Sequence, residues 1–168
     1  MATALLISTE TLKQLTPIKG SVDSDYLNEH IKIAQDTGLR NIIGDDLLEK
    51  IESDIEAGTL TGSYLSLVQN QIKYYLAFAT ASEYILIAGY SVDNGGVSRY
   101  SPSNGVEMSA GEINTLSAKL NDRANFYGQQ LIKYLKDNQS NFTEYTPSST
   151  TSTFNGWQLD DSYGCDIF

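Results

Sequence analysis

Residues 63–90 read SYLSLVQNQIKYYLAFATASEYILIAGY, and residues 109–137 read SAGEINTLSAKLNDRANFYGQQLIKYLKD. In the first stretch Leu65, Val68, Ile72, Tyr75, Ala79, Ser82, Leu86 and Gly89 recur at alternating steps of three and four, the spacing of a helical seam. Its small residues Ala79, Ser82 and Gly89 would let a second helix approach closely. In the second stretch Ser109-Ala110-Gly111-Glu112 matches the capping box: Ser accepts from the third helical amide and Glu reaches back to the cap amide. The helix it opens carries Ile113, Leu116, Leu120, Ala124, Tyr127, Leu131 and Leu135 on one stripe. Two complementary stripes of this length predict a pair of long antiparallel helices.

Between the pair, Asn94-Gly95-Gly96 and Ser101-Pro102-Ser103-Asn104-Gly105 are turn chemistry around short segments holding Val97, Tyr100 and Val106, which predicts an exposed hairpin or finger loop. Toward the N-terminus, Thr9–Leu15 reads as a short helix stopped by Thr16-Pro17, because Pro has no amide donor. Asp23 or Ser24 caps a following helix with Leu27, Ile31 and Ala34 inward, expected to end near Gly38 or to bend there and continue to Ile43. Gly44 and Asp45 predict the next junction, with Asp45 as cap of a helix over 46–57 that turns Leu47, Leu48, Ile51 and Ile55 inward. Gly58 and Gly62 bracket the turn after it.

Toward the C-terminus, nine of the fifteen residues in 139–153 are Ser or Thr, a linker composition expected to contribute nothing to a core. Residues 154–168 regain Phe154, Trp157, Leu159, Tyr163, Ile167 and Phe168, interleaved with Asp160, Asp161 and Asp166. The sequence therefore predicts a helical domain over 1–138, a linker over 139–153 and a partner-docking tail over 154–168. The expected fold class is mainly α: a small helical bundle with two long antiparallel helices, a protruding hairpin-like loop and an extended C-terminal tail.

Length and charge set the outer limits. The 168 residues suit one domain, and 40% apolar with 19% charged residues suits a globular core. A net charge of −10 disfavours general nucleic-acid binding, which needs clustered Lys and Arg. Residues 1–60 carry eleven acids and five bases, 61–140 six of each, and 141–168 four acids and no base. The single Cys165 has no internal disulfide partner, and the short apolar run Ala4-Leu5-Leu6-Ile7 lacks a basic leader, so the expectation is a chain made in the cytoplasm and not secreted. Thr80, Ser82 and Glu83 interrupt the most apolar stretch, 74–90, which falls short of the ~18 apolar residues of a membrane span.

Catalytic chemistry finds little footing. His30 has no Cys or second His at metal-ligand spacing and reads as a surface or interface residue. Asp45, Glu49 and Glu52 share a helical face that would bind a divalent cation weakly, against the plainer reading of a solvated acidic helix start. Gly95-Gly96 belongs to neither nucleotide-loop pattern. The sequence thus predicts no catalytic residue, metal ligand or cofactor. The candidate interface residues are Asn94, Gly95, Gly96, Val97, Arg99 and Tyr100 in the finger, and Phe154, Trp157, Leu159, Tyr163, Ile167 and Phe168 in the tail. Arg99 would meet a DNA phosphate or a partner carboxylate, or is an ordinary loop charge.

Several stretches taken in order carry a family resemblance: Leu12-Lys13-Gln14-Leu15-Thr16-Pro17-Ile18; Ile33-Ala34-Gln35-Asp36 with Leu39, Ile43-Gly44 and Leu47; the Tyr-rich helix; the loop with Gly96-Val97 and Arg99; Ala124-Asn125-Phe126-Tyr127; Leu131-Ile132-Lys133-Tyr134-Leu135; Asn138; and Phe142-Thr143-Glu144-Tyr145. Over roughly 12–145 the chain resembles the head-tail connector (adaptor or neck ring) proteins of tailed bacteriophages, in the form found in phages of Bacteroidetes, including crAss-like phages. It departs from them at Thr143, where the family often has Pro, and in the tail after Pro147. The resemblance implies a virion protein without catalysis, a ring of about twelve copies below the portal that contacts tail or further neck proteins, with interfaces of the heterologous kind. DNA would pass through the ring without sequence-specific binding, and an acidic lumen would repel its backbone. Other readings are a different neck or tail-completion component, or a monomeric cytosolic helical enzyme or regulator that uses the acidic face.

Overall fold

A computed structural model describes residues 4–88, 90–93, 96–99 and 108–146, with the backbone alone for 90–93 and 96–99. The first helix, α1 (Thr9–Leu15), is capped by Ser8, whose hydroxyl accepts the Thr11 amide at 3.2 Å. It stops where Thr16 turns extended ahead of Pro17 and donates its hydroxyl to the Leu12 carbonyl at 2.7 Å. Helix α2 (Ser24–Ala34) starts at Asp23, whose carboxylate accepts the Asp25 amide, and buries Leu27, Ile31 and Ala34 as their spacing predicts.

Of the two courses open at Gly38, the chain takes the second. It passes without a break through a π turn, Gln35–Leu39, into α3 (Arg40–Ile43), with the Arg40 amide reaching the Gln35 carbonyl five residues back. At Gly44, φ of +85° ends α3 and starts α4 (Asp45–Glu56) in one residue, a conformation that favours glycine. Asp45 is therefore the first residue of α4 rather than its cap, and its carboxylate accepts from Arg40 at 2.6 Å. Leu47, Leu48 and Ile51 are buried on α4, and Ile55 packs partly against them.

The long helix expected from Ser63 starts one residue earlier as α5 (Gly62–Leu67), runs through a second π turn (Val68–Ile72) and continues as α6 (Lys73–Ile87). The expected single seam is corrected here. Tyr75, Leu76, Ala77, Phe78, Thr80, Ala81 and Ser82 are all buried, because α1, α2, α7 and the first π turn pack around α6. A helix apolar all round is a core helix, not a two-faced one. Leu86, by contrast, is 41% exposed near the helix end, and Gly89 lies outside the described residues.

Two strands follow, β1 (Tyr90–Asp93) and β2 (Gly96–Arg99), antiparallel with Tyr90 opposite Arg99 and Asp93 opposite Gly96. Helix α7 (Ala110–Asp137) then opens on the predicted capping box, with Ser109 accepting the Glu112 amide and Glu112 accepting the Ser109 amide at 2.8 Å. Contacts along α7 run opposite to α6: Ser117 meets Ser82, Arg123 meets Phe78, and Gly128 meets Tyr75. The long pair is thus antiparallel, and the fold is mainly helical as expected. Leu120, Ala124, Leu131 and Leu135 of the predicted stripe are buried, while Ile113, Leu116 and Tyr127 are half-buried.

Two small residues absent from that stripe set the distance between the helices. Ser117 is buried and donates to the Ser82 carbonyl at 2.7 Å, and a Cβ on Gly128 would stand 3.3 Å from both Ile42 and Tyr75. Tyr75 is held between α7 and the first π turn, where a Cβ on Gly38 would collide with its hydroxyl.

The composition-based boundary at Asn138 is also corrected. After α7 a 3-10 turn (Gln139–Asn141) sends the chain back, and Phe142 and Tyr145 enter the core at 0% and 4% exposure. Phe142 sits edge-on to Tyr64 at 5.4 Å and tilted against Tyr134 at 6.1 Å. Two aromatic side chains three residues apart outweigh the polar composition around them, since full burial of a Phe side chain contributes ~1.5–3 kcal/mol.

Candidate interaction surfaces

The finger expected over 91–108 is represented by the hairpin: Gly96, Val97 and Arg99 lie on β2, while Asn94, Gly95 and Tyr100 lie outside the described residues. The tail residues Phe154, Trp157, Leu159, Tyr163, Ile167 and Phe168 lie outside them as well. Two residues separate paired Asp93 from Gly96, the loop length that Asn-Gly favours. In such a hairpin the pair flanking the loop exchanges backbone hydrogen bonds, so the next pair, Val92 and Val97, turns its amides outward. Among the described residues β1 and β2 form a sheet of two strands, leaving one edge of each unpaired.

Leu86 and Ile87 are 41% and 49% exposed on the last turn of α6, and Met108 is 44% exposed just ahead of α7. These apolar side chains flank the hairpin in sequence at both ends. Met108 also lines an open depression at the start of α7, with Ser109, Glu112, Leu116 and Lys119.

A second surface runs along the middle of the long pair. Tyr127 is stacked against Tyr74 at 5.2 Å and against Phe78 at 5.5 Å, the latter nearly parallel at 3°. Phe126, 57% exposed, stands edge-on to Tyr127, and the Arg123 guanidinium lies 5.6 Å above the Phe78 ring. Phe78, Asp122, Arg123, Phe126 and Tyr127 line an open depression. Sequence periodicity places Tyr127 on the inner stripe of α7, and neither Arg123 nor Phe126 is among the interface residues it suggests. Their signal was the step of three between a cation and an aromatic on the outer face of the helix.

The acidic face of α4 is distributed among protein partners. Asp45 pairs with Arg40, Asp54 pairs with Lys50 at 2.7 Å, and Glu52 accepts from the Gln35 side chain. No group of three or more metal-ligating side chains occurs among the described residues. His30 is half-buried; its ring meets Tyr84 edge-on at 5.3 Å, and its Nδ1 is buried without a hydrogen-bond partner among the described residues. Burial pushes the neighbouring Glu83 carboxyl up, and the closeness of His30 opposes that rise.

Two motif positions noted in the sequence acquire structural roles. Gln35, fully buried, accepts the Leu6 amide at 3.1 Å and donates to the Ala4 carbonyl at 3.0 Å and to Glu52, so it ties the N-terminal segment to the first π turn and α4. Glu144 accepts the Tyr64 hydroxyl at 2.6 Å and fastens the C-terminal turn to α5. That bond and burial together raise the Tyr64 phenol, while for Glu144 the bond holds the carboxyl below its ordinary range against the upward push of burial. No helix among the described residues is long and apolar enough to cross a membrane.

No curated protein and no solved structure matches the chain. A family model does match, over residues 39–155, a span that begins at the end of the first π turn and takes in the hairpin, α7 and the buried Phe142–Tyr145 turn. The chain belongs to that family, DUF6712, a family of unknown function.

Proposed function

We propose that the chain is the subunit of a head-tail connector ring in the virion of a tailed bacteriophage, placed at the neck between the portal and the tail. It acts by assembly, and DNA passes through the ring without being read. The observation that carries this reading is the two-stranded hairpin set between α6 and α7 with an unpaired edge on each strand. A lone two-stranded hairpin is marginal in water, so such an element calls for a neighbour. Its two edges are unlike, β1 on one side and β2 on the other. Adding β2 of one copy to β1 of the next is a heterologous contact, the kind that closes into a ring of about twelve copies. Exposed Leu86, Ile87 and Met108 would be covered in the same step. The order of motifs over 12–145 supports the phage assignment, and the −10 charge suits a channel that lets DNA slide.

The test is native mass spectrometry of the full chain, alone and with its candidate portal protein, beside a Val92→Pro/Val97→Pro variant. Proline removes the outward amides and leaves the β1–β2 ladder bonds intact. A ring-sized species, spontaneous or portal-induced and lost in the variant, is expected. A wild-type monomer that ignores the portal overturns the reading.

A further inference from the structure

Lys119, Arg123, Phe126, Gln130 and Lys133 follow one another at steps of four and three along α7, and all five are exposed. This stripe is anomalous for the chain in two ways. Lys32, Arg40 and Lys50 each form an ion pair, and of the seven described cations that form none, four, Lys119, Arg123, Lys133 and Lys136, lie on α7, while Lys13, Lys19 and Lys73 are scattered over the rest of the fold. In a protein of net charge −10, unpaired cations gathered on one helix are conspicuous. The stripe also holds a largely exposed Phe126 beside the stacked rings of Tyr127 and Phe78, with Arg123 over the latter. Such a surface offers apolar ring faces and a guanidinium in one depression, with Asp122 as its single acid.

The chemistry that fits it is an acidic, aromatic peptide, and the chain carries one. Residues 147–168 contain Asp160, Asp161 and Asp166 and no Lys or Arg, with Phe154, Trp157, Leu159 and Tyr163 interleaved. The reach is sufficient within one copy. The described chain ends at Thr146, next to buried Tyr145, in the turn that follows the C-terminal end of α7. From Asp137 back to Phe126 is ~17 Å at 1.5 Å per helical residue. The seven residues 147–153 span up to ~24 Å when extended. A short polar linker also gives the tail of the same copy an effective concentration in the millimolar range, which a neighbour's tail does not have in dilute solution.

We propose that residues 154–168 fold back onto α7 of their own copy and cover the Lys119–Arg123–Phe126–Gln130–Lys133 stripe, with an aromatic side chain in the Phe126/Tyr127 depression and the aspartates against the cations. The docking does not depend on ring formation. In the unassembled subunit it masks the aromatic face.

Trp157 is the chain's only tryptophan and reports on the tail directly. In the full-length protein its emission is expected to be blue-shifted and several-fold less quenched by acrylamide than a free tryptophan, at any protein concentration. Arg123→Glu/Lys133→Glu, both at exposed positions, is expected to lower the docking constant about tenfold or more and to expose Trp157 while far-UV circular dichroism stays unchanged. Adding Asp160→Lys/Asp161→Lys to that variant restores protection. The proposal is overturned by a solvent-exposed Trp157 in the wild type, which would leave the stripe for an external partner. Protection that grows with protein concentration overturns it by making a second copy the occupant. Protection indifferent to the charge reversals overturns it too.

Discussion

Phe142→Ala separates a folded turn from a linker. Phe142 is fully buried, with Tyr64 edge-on at 5.4 Å and Tyr134 tilted at 6.1 Å. Truncating a buried Phe to Ala costs ~3–5 kcal/mol, transfer and cavity together. Loss of the two ring contacts belongs to the upper part of that range, since aromatic pairs add ~0.5–1.5 kcal/mol each beyond area. A domain of this size loses roughly 2–4 °C of Tm per kcal/mol, so a fall of roughly 8–16 °C is expected at ~4 kcal/mol. Urea titration followed by circular dichroism, with calorimetry, measures both numbers on the full chain. Phe142→Leu should cost less than Phe142→Ala, ~1–3 kcal/mol, because it fills most of the cavity but still loses both ring contacts. A chain ending at Asn138 should be less stable than Phe142→Ala, as it also loses Tyr145 and the Tyr64–Glu144 bond, while one ending at Thr146 keeps the bundle intact. A loss below ~1 kcal/mol for Phe142→Ala would return residues 139–146 to the linker and refute the packing argument.

Gly38→Ala should destabilise the wild type by ~1–3 kcal/mol, because its Cβ meets the Tyr75 hydroxyl, yet stabilise a Tyr75→Phe background by up to ~1 kcal/mol through helix propensity. A double-mutant cycle in urea that shows the same sign in both backgrounds would rule out the clash. Burial pushes the Tyr75 phenol up to about 12 from 10.0. Its contribution to stability is complete below the unfolded value and is lost as pH rises through the window from about 10 to about 12, where the unfolded chain releases this proton first. Tyr75→Phe removes that slope from the pH dependence of urea midpoints. For Tyr64→Phe and Glu144→Gln, a coupling of ~1 kcal/mol is expected near neutral pH. Because Glu144 is held low, the coupling is present above the ordinary carboxylate value and fades as pH falls through its lowered one; cycles at neutral and acid pH that agree would exclude the bond.

What the sequence disclosed and what it withheld divide along physical lines. Local chemistry was legible: the Ser109–Glu112 box, the Asp23 cap and the Leu27, Ile31, Ala34 face each lie within a few residues. A stripe is readable when a helix has one dry side, so α7 was recovered and α6, wet only toward its end, was not. Small residues at close approaches, Ser117, Gly38 and Gly128, have no periodic signature because their role is to leave room for Tyr75 and Ser82. Gln35 stands in the sequence only as part of the Ile33-Ala34-Gln35-Asp36 stretch, and only the fold brings Ala4, Leu6 and Glu52 to it. At the surfaces, the hairpin was legible from Asn-Gly spacing, whereas the α7 stripe was hidden in a helix already explained by its inner face.

The two π turns set angular phase. Each inserts one residue's worth of winding, about 100°, between the helical segments it joins. That is why Leu67, and not Leu65, is fully buried ahead of the second turn, while Val68 and Ile72 at its two ends and Tyr75 beyond it share the buried face. The exposed Gln69 and Asn70 sit inside this turn. Removing either one would still change the molecule at a distance: the turn would tighten to α, α5 would rotate about its axis, and Tyr64 would swing away from Phe142 and Glu144. In a lineage of such chains, a single-residue gap at 69–70 would therefore be expected to travel with changes at 142–145, two segments that share no sequence neighbourhood.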